Sequence, residues 1–191
     1  MSRLDLVVGP NGAGKSTFVR QVLRKQQPNT PFVNADDLAR ILWPENPSAH
    51  SYDAAQAASS TRDALIASGV PFIAETVFSH RSKLKLVDRA KNAGYFIALH
   101  VLLVPQDMAV ERVAFRVTVG GHAVPEQKIR ERYDRLWDLV AEAGDKADST
   151  TFRDNSTADG PQTVARLIDG CLLAPPKWPV WTPAVLTRSW T

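Results

Sequence analysis

Near the amino terminus, Gly9-Pro10-Asn11-Gly12-Ala13-Gly14-Lys15-Ser16 satisfies the pattern G-x-x-x-x-G-K-[ST] at every fixed position. The chemistry open to such a segment is the capture of a polyphosphate. Glycines at 9, 12 and 14 let the backbone turn so that successive N–H groups face one anion, and a helix starting near Lys15 adds the positive end of its dipole. On this pattern Gly9, Asn11, Gly12, Ala13 and Gly14 form the cradle. Lys15 reaches the β- and γ-phosphates, the Ser16 hydroxyl completes a Mg²⁺ shell and Thr17 bonds the α-phosphate. The expected cofactors are therefore ATP and Mg²⁺. The competing reading is a plain Gly-rich turn. The apolar run Leu4–Val8 before the motif and the helical pattern after it favour the phosphate loop.

A phosphate loop leaves open whether the phosphoryl group passes to water or to a second substrate. Transfer to a hydroxyl needs a carboxylate to take the proton and arginines to meet the charge on the transferring group. Phe32-Val33-Asn34-Ala35-Asp36-Asp37 puts an acidic pair directly after an apolar run, and in an open parallel sheet such strand ends share a crevice with the phosphate loop. Asp36 is read as the base and Asp37 as a helix cap or solvent residue, with capping as the competing account of both. Pro71-Phe72-Ile73-Ala74-Glu75 carries a carboxylate out of a buried strand, where it must be paired, metal-linked or ligand-bound. Thr76 follows, then Ser79-His80-Arg81-Ser82-Lys83, a polar string suited to a small hydroxylated ligand. Arg112 and Arg116 lie one helical turn apart ahead of Gly120-Gly121-His122. That spacing fits a hinged lid closing on the transferring phosphate, and it also fits a solvated basic face. His122 has no Cys or second His at ligand spacing, which argues against zinc. Glu75, Thr76, His80 and His122 are the acceptor candidates. Asp154-Asn155-Ser156 is either a plain turn or a loop that meets the nucleotide through Asn155.

The elements that must hold these residues alternate along the chain. Short β-branched or aromatic runs lie at Leu4–Val8, Phe32–Ala35, Pro71–Ala74, Phe96–Val104 and Thr150–Arg153. Between and after them are helical patterns from Ser16 to Lys25, Asp37 to Trp43, Ser51 to Ser68, Arg81 to Ala93, Gln106 to Val119, Pro125 to Ala143 and Pro161 to Leu173. This alternation predicts an α/β fold in which a parallel sheet of about five strands is flanked by helices. Cys171 falls in the last helical pattern, with Val164, Leu167, Ile168 and Leu172, and is expected in the core. Residues 1–174 are expected to form one domain, including a lid over about 105–135. In the tail, residues 175–191, Pro175, Pro176, Pro179 and Pro183 exclude a helix, while Trp178, Trp181 and Trp190 either pack on the domain or bind a partner. With 23 Lys+Arg against 20 Asp+Glu the formal charge is +3, too small a surplus to grip nucleic acid by charge alone. A single cysteine, no apolar run of membrane length and no signal sequence predict a cytoplasmic protein with neither nucleic acid nor membrane as partner.

Taken in order, the phosphate loop, Asn34-Ala35-Asp36, Ala74-Glu75-Thr76, the Arg112/Arg116 helix with Gly120-Gly121-His122-Ala123-Val124-Pro125, and Asp154-Asn155-Ser156 resemble the zeta toxin family of phosphate-loop kinases. The resemblance runs from about Leu4 to Ser156. It implies a nucleoside-kinase-like core with the phosphate-loop strand central. It also implies ATP-dependent phosphorylation of a UDP-linked amino sugar, such as UDP-N-acetylglucosamine, on the 3′-hydroxyl of the sugar. The implied roles fall on Lys15 for phosphate, Asp36 for deprotonation, Glu75 and Thr76 for the sugar, and the lid arginines for transition-state charge. The sequence departs from the toxic members in being shorter, and their second lid arginine lies further along than Arg116, where this chain has Gly120, Gly121 and His122. With the motif starting at residue 9, an antitoxin is expected as a separate chain. The rival readings are a kinase for another hydroxylated acceptor and a slow ATP-hydrolysing regulatory module.

Overall fold

The apolar runs between Arg3 and Leu172 assemble into one sheet, in a computed structural model that describes residues 1–119 and 123–191. Its strands are β1 (Arg3–Val8), β2 (Phe32–Val33), β3 (Phe72–Thr76), β4 (Phe96–Leu103), β5 (Ser149–Asp154), β6 (Gln162–Ile168) and β7 (Cys171–Leu172). Their order is β2-β3-β1-β4-β5-β6-β7. β2, β3, β1, β4 and β5 run parallel, and β6 and β7 add an antiparallel edge. Because β1 lies between β3 and β4, Val8 stands beside Thr76 on one side and Val101 on the other. The carboxyl ends of three strands therefore open on one crevice, with the phosphate loop at its centre. β1 and β4 are buried almost throughout, as strands covered on both faces must be.

The helices are α1 (Lys15–Phe18, continuing through a π-helical stretch Val19–Leu23 to Arg24–Gln26), α2 (Ala35–Leu42), α3 (Ser51–Ala67), α4 (Ser82–Asn92), α5 (Gln106–Thr118), α6 (Glu126–Lys146) and α7 (Ala184–Ser189). Among the described residues no helix is long and apolar enough to cross a membrane.

Three sequence expectations give way here. The helix expected from Pro161 to Leu173 is the β6–β7 hairpin, which raises the strand count from about five to seven. Asp169 and Gly170 have φ of 47° and 76°, and an Asp-Gly pair with both residues at positive φ is a two-residue hairpin turn. Ala165 and Leu167 then face inward while Arg166 and Ile168 face out, a period of two. Cys171 lies on this edge and is exposed, not in the core. The tail, expected to exclude a helix, forms α7 directly after Pro183, a position where proline costs a helix nothing. Trp178 and Trp190 pack on Phe152 with ring centroids 5.2 and 5.3 Å away.

A buried polar cluster fastens α1 to the sheet. Asp5, 1% exposed on β1, accepts from Arg3 through both carboxylate oxygens, from Gln27 Nε2 at 3.1 Å and from His100 Nε2 at 2.8 Å. His100 Nδ1 lies 3.3 Å from Arg153 Nη1, and both side chains pack on the Phe18 ring of α1. That network places the imidazole proton on Nε2 and leaves Nδ1 to accept. Burial alone would raise the Asp5 pKa, but hydrogen bonds from His100, Arg3 and Gln27 outweigh it and hold the carboxyl well below its usual range. Burial lowers the His100 pKa. Both groups bind protons more readily in the unfolded chain, so acid favours unfolding. Stability should decline below about pH 6.5 through His100 and below about pH 4 through Asp5. We expect the melting temperature to fall between pH 7 and pH 4, and Asp5→Asn to be less stable at pH 7 by about 1–3 kcal/mol yet flatter with pH. Parallel wild-type and variant curves would contradict this role.

Candidate phosphate-binding site

The phosphate loop leaves β1 after Val8 and enters α1 at Lys15. Each of its glycines is required by what lies against it. Gly9, Gly12 and Gly14 have φ of 147°, 74° and 83°. A Cβ there would come within 2.5 Å of the Leu102 carbonyl oxygen, 2.6 Å of the Ala109 carbonyl oxygen and 2.6 Å of Asn155 Nδ2. No side chain caps α1, so its first N–H groups are open to an anion. Lys15 is buried, with Nζ donating to the carbonyls of Gly9 at 3.0 Å and Pro10 at 2.8 Å. Burial lowers its pKa, Glu75 and Asp36 resist that drop, and Arg116 and Arg132 add to it. Asn11 Oδ1 is buried with no hydrogen-bond partner among the described residues, an acceptor that a bound donor would satisfy. Ser16 and Thr17 line the same cleft.

Glu75, at the end of β3, is doubly engaged. Ser16 Oγ donates to Oε1 at 3.0 Å and Asn34 Nδ2 donates to Oε2 at 2.8 Å. A hydroxyl and a carboxylate side by side are hard oxygen donors of the kind Mg²⁺ accepts. Among the described residues no group of three or more His, Cys, Asp or Glu could hold a metal. A cation between Ser16 and Glu75 would thus take its remaining ligands from phosphate and water, which is how Mg²⁺ sits in phosphoryl-transfer sites. These residues fit the ion.

Asn34, not Asp37, caps α2: its Oδ1 accepts from the N–H groups of Asp36 at 2.7 Å and Asp37 at 3.2 Å. The two acids occupy the first turn, where the helix dipole favours them, and then diverge. Asp36 lines the cleft; Asp37 pairs with Arg40.

α5 and the loop after β5 close over the phosphate loop. Asn155 Nδ2 donates to the Ala13 carbonyl at 2.8 Å, Arg112 Nη1 donates to the Asn155 carbonyl at 2.9 Å, and the Asn155 N–H donates to the Leu103 carbonyl at 2.9 Å. Arg112 and Arg116 both line the cleft. Thr76 and His80 line it from the side of β3, on either side of Phe78. This non-glycine residue holds a left-handed φ of 66° while its ring is fully buried, strain of a kind that functional loops retain when packing enforces it. His80 Nδ1 accepts from the Ser82 N–H at 3.2 Å and so supports the start of α4. Gly120, Gly121 and His122 lie outside the described residues.

The cleft has a volume of about 710 Å³. Lys15, Arg20, Arg62, Lys83, Arg112, Arg116, Lys128 and Arg132 line it, against the carboxylates of Asp36 and Glu75. A second concavity of about 560 Å³, between the start of α5, α6 and the tail, contains none of these residues. Sequence reasoning missed Arg20, Arg62, Lys128 and Arg132 as site residues. One signal was present for Arg62: Ala54, Ala58 and Arg62 recur every fourth residue on the buried face of α3, where a cation is out of place unless something meets it.

Comparison with known proteins places this geometry. The AAA domain family model matches residues 4–137, well over half of the chain, and the chain belongs to that family. No curated protein matches it. Among solved structures it is similar to a chain of the AvrRxo1-ORF1:-ORF2 complex with ATP, at 13% identity and a TM-score of 0.70, covering 100% of this chain and 72% of that one. It is similar also to a chain of the PezAT chromosomal toxin-antitoxin system of Streptococcus pneumoniae, at 16% identity and a TM-score of 0.63, covering 86% and 72%. Shikimate kinase from Acinetobacter baumannii, in complex with shikimate, matches at 18% identity and a TM-score of 0.54, covering 84% and 86%. At these identities the likeness is one of fold: a phosphate-loop kinase fold with a mostly parallel sheet.

The Asn155 clamp yields a test of the site. Asn155→Ala removes the side-chain bond to the Ala13 carbonyl and frees the space beside Gly14. We expect a stability loss of about 1 kcal/mol and a roughly fivefold weaker affinity for ATP with Mg²⁺, as the loop loses one of its fixed points. Unchanged nucleotide affinity by calorimetry would remove Asn155 from the binding machinery.

Proposed function

We propose that this member of the AAA domain family is an ATP- and Mg²⁺-dependent small-molecule kinase of zeta-toxin type, with a UDP-activated amino sugar such as UDP-N-acetylglucosamine as the favoured acceptor. The observation that carries the reading is one cleft in which a phosphate loop, a strand-end carboxylate with no hydrogen bond among the described residues, and two helix-borne arginines converge. Kinase and toxin–antitoxin structures among the neighbours support it, as does the neighbour determined with ATP.

In this reading residues 1–174 form the kinase domain and about 105–135 its lid, with the tail fastened to the domain through Trp178 and Trp190. Lys15 exchanges the Gly9 and Pro10 carbonyls for the β- and γ-phosphates, an exchange that replaces two neutral acceptors by anionic oxygens. Mg²⁺, when bound, supplies charge neutralisation at the phosphates, and Ser16 with Glu75 would hold it. Glu75 is already bonded to Ser16 and Asn34, so we assign it to that side of the cleft, leaving Thr76 and His80 for the acceptor. Asp36 takes the proton of the attacking hydroxyl. Arg112 and Arg116 meet the charge that develops on the transferring group, where fixed guanidinium donors count most in a closed site. An antitoxin, as a separate chain, is the macromolecular partner this reading expects.

The carboxylate decides it. Asp36→Asn keeps the size of the residue while removing the proton acceptor, so phosphorylation of the acceptor should fall by about 10²–10⁴-fold, with ATP affinity and melting temperature retained. Asp37→Asn loses only a surface pair with Arg40, worth about 0–1 kcal/mol, and should keep nearly full activity. Full activity in Asp36→Asn, measured by labelled-product formation, would overturn the assignment.

A further inference from the structure

The cleft has two positive ends, and the mechanism above uses one. Lys15 feels the charges of Glu75, Asp36, Arg116 and Arg132. Lys83, on the first turn of α4, instead feels Arg62. Arg62 is 5% exposed, lines the cleft from α3, and makes no hydrogen bond or ion pair among the described residues. The carboxylate next to it along the chain, Asp63, is taken by both guanidinium nitrogens of Arg89, at 2.9 and 3.2 Å. Lys83 likewise has no ion pair or hydrogen bond among the described residues. Burial lowers the pKa of both groups; at Lys83 the charge of Arg62 adds to the drop, while at Arg62 Asp63 resists it and Arg89 adds to it.

Two partly buried cations lining one cleft, with no carboxylate bonded to either, form an arrangement that costs stability unless an anion enters. The shape of α3 leaves room for one. Ala55, Ala58 and Arg62 share the face that lines the cleft, so small side chains stand beside the guanidinium on α3.

We propose that Arg62 and Lys83 form a second anion subsite at the acceptor end of the cleft, and that the acceptor is a small hydroxylated molecule carrying a carboxylate or phosphate. This deepens the kinase reading and rests on it for the word acceptor; the subsite itself does not. The hydroxyl lies toward Asp36 while the anionic group is held by Arg62 and Lys83, which fixes the molecule at both ends. A neutral analogue would leave the two cations unmet, and rejection of it follows from the same cost.

The test loads the protein with Mg²⁺ and a non-hydrolysable ATP analogue, so that the phosphate loop is filled, and then titrates inorganic phosphate, glucose 6-phosphate, glucuronate and glucose by calorimetry. We expect phosphate to bind and at least one anionic sugar to bind more tightly than glucose by about tenfold or more. The stronger of glucose 6-phosphate and glucuronate identifies which anionic group the subsite takes. Arg62→Met and Lys83→Met should each weaken the anions about tenfold while leaving affinity for the ATP analogue unchanged. Lys83 is half-buried on a helix surface, so Lys83→Met keeps the test alive if Arg62→Met fails to fold. No binding of any anion, anions and glucose bound alike, or wild-type anion affinity in folded variants would each overturn the subsite. Anion binding as expected, with no transfer of phosphate from ATP to any acceptor, would uphold the subsite and sink the kinase reading instead.

Discussion

Positive charge confined in a cleft with too few carboxylates to balance it is the constraint from which the rest of this structure follows. Eight Lys and Arg side chains against two acids cannot be an ordinary solvated face, because Lys15 and Arg62 are both almost fully buried. Removing such groups from water carries a large penalty, and ordinary cores meet it with a paired carboxylate. Here Lys15 is met by two main-chain carbonyls and Arg62 by none of the described residues. Such an imbalance lowers stability and favours the entry of an anion of matching shape.

A scaffold that carries uncompensated charge must be held elsewhere. β1 delivers the phosphate loop between β3 and β4, and Asp5, His100, Arg153 and Phe18 hold the helix that follows it down on the sheet. On the far side Asn155 ties the loop to the end of β5, and its own carbonyl receives Arg112. The arginine helix and the phosphate loop are thus joined through one residue. Gly12, whose missing Cβ leaves room for the Ala109 carbonyl, lets α5 come this close. Loop, arginine helix and strand end form one connected unit.

The phosphate loop was legible in the sequence because its glycines and Lys15 are fixed by local backbone geometry, and all five expected strands and the helices up to residue 143 fall where hydrophobic spacing puts them, within a few residues. Asp36 was legible as a strand-end acid, but the choice between base and cap depended on Asn34, whose side chain takes both N–H groups. The β6–β7 hairpin was misread since Val164, Leu167, Ile168 and Cys171 satisfy helical spacing, and the stronger signal was the Asp169-Gly170 turn between two short strands. Prolines in the tail were read as a ban on helix, whereas Pro183 only marks where one starts. Arg62 carried a signal in its spacing with Ala54 and Ala58, and Lys83 in the polar string after Thr76; that both line one cleft depends on α3 and α4 flanking it, a tertiary fact no spacing along the chain records.

The central claim is that phosphate leaves ATP for an organic hydroxyl bound in this cleft. The direct measurement follows γ-labelled ATP with Mg²⁺ and a panel of UDP-sugars, sugar phosphates and hydroxy acids, and quantifies label in product against label in inorganic phosphate. The account predicts ADP formation that depends on one anionic acceptor, with label appearing in that molecule in equal amount. ADP formed at the same rate without any acceptor, with all label released as inorganic phosphate, would contradict it.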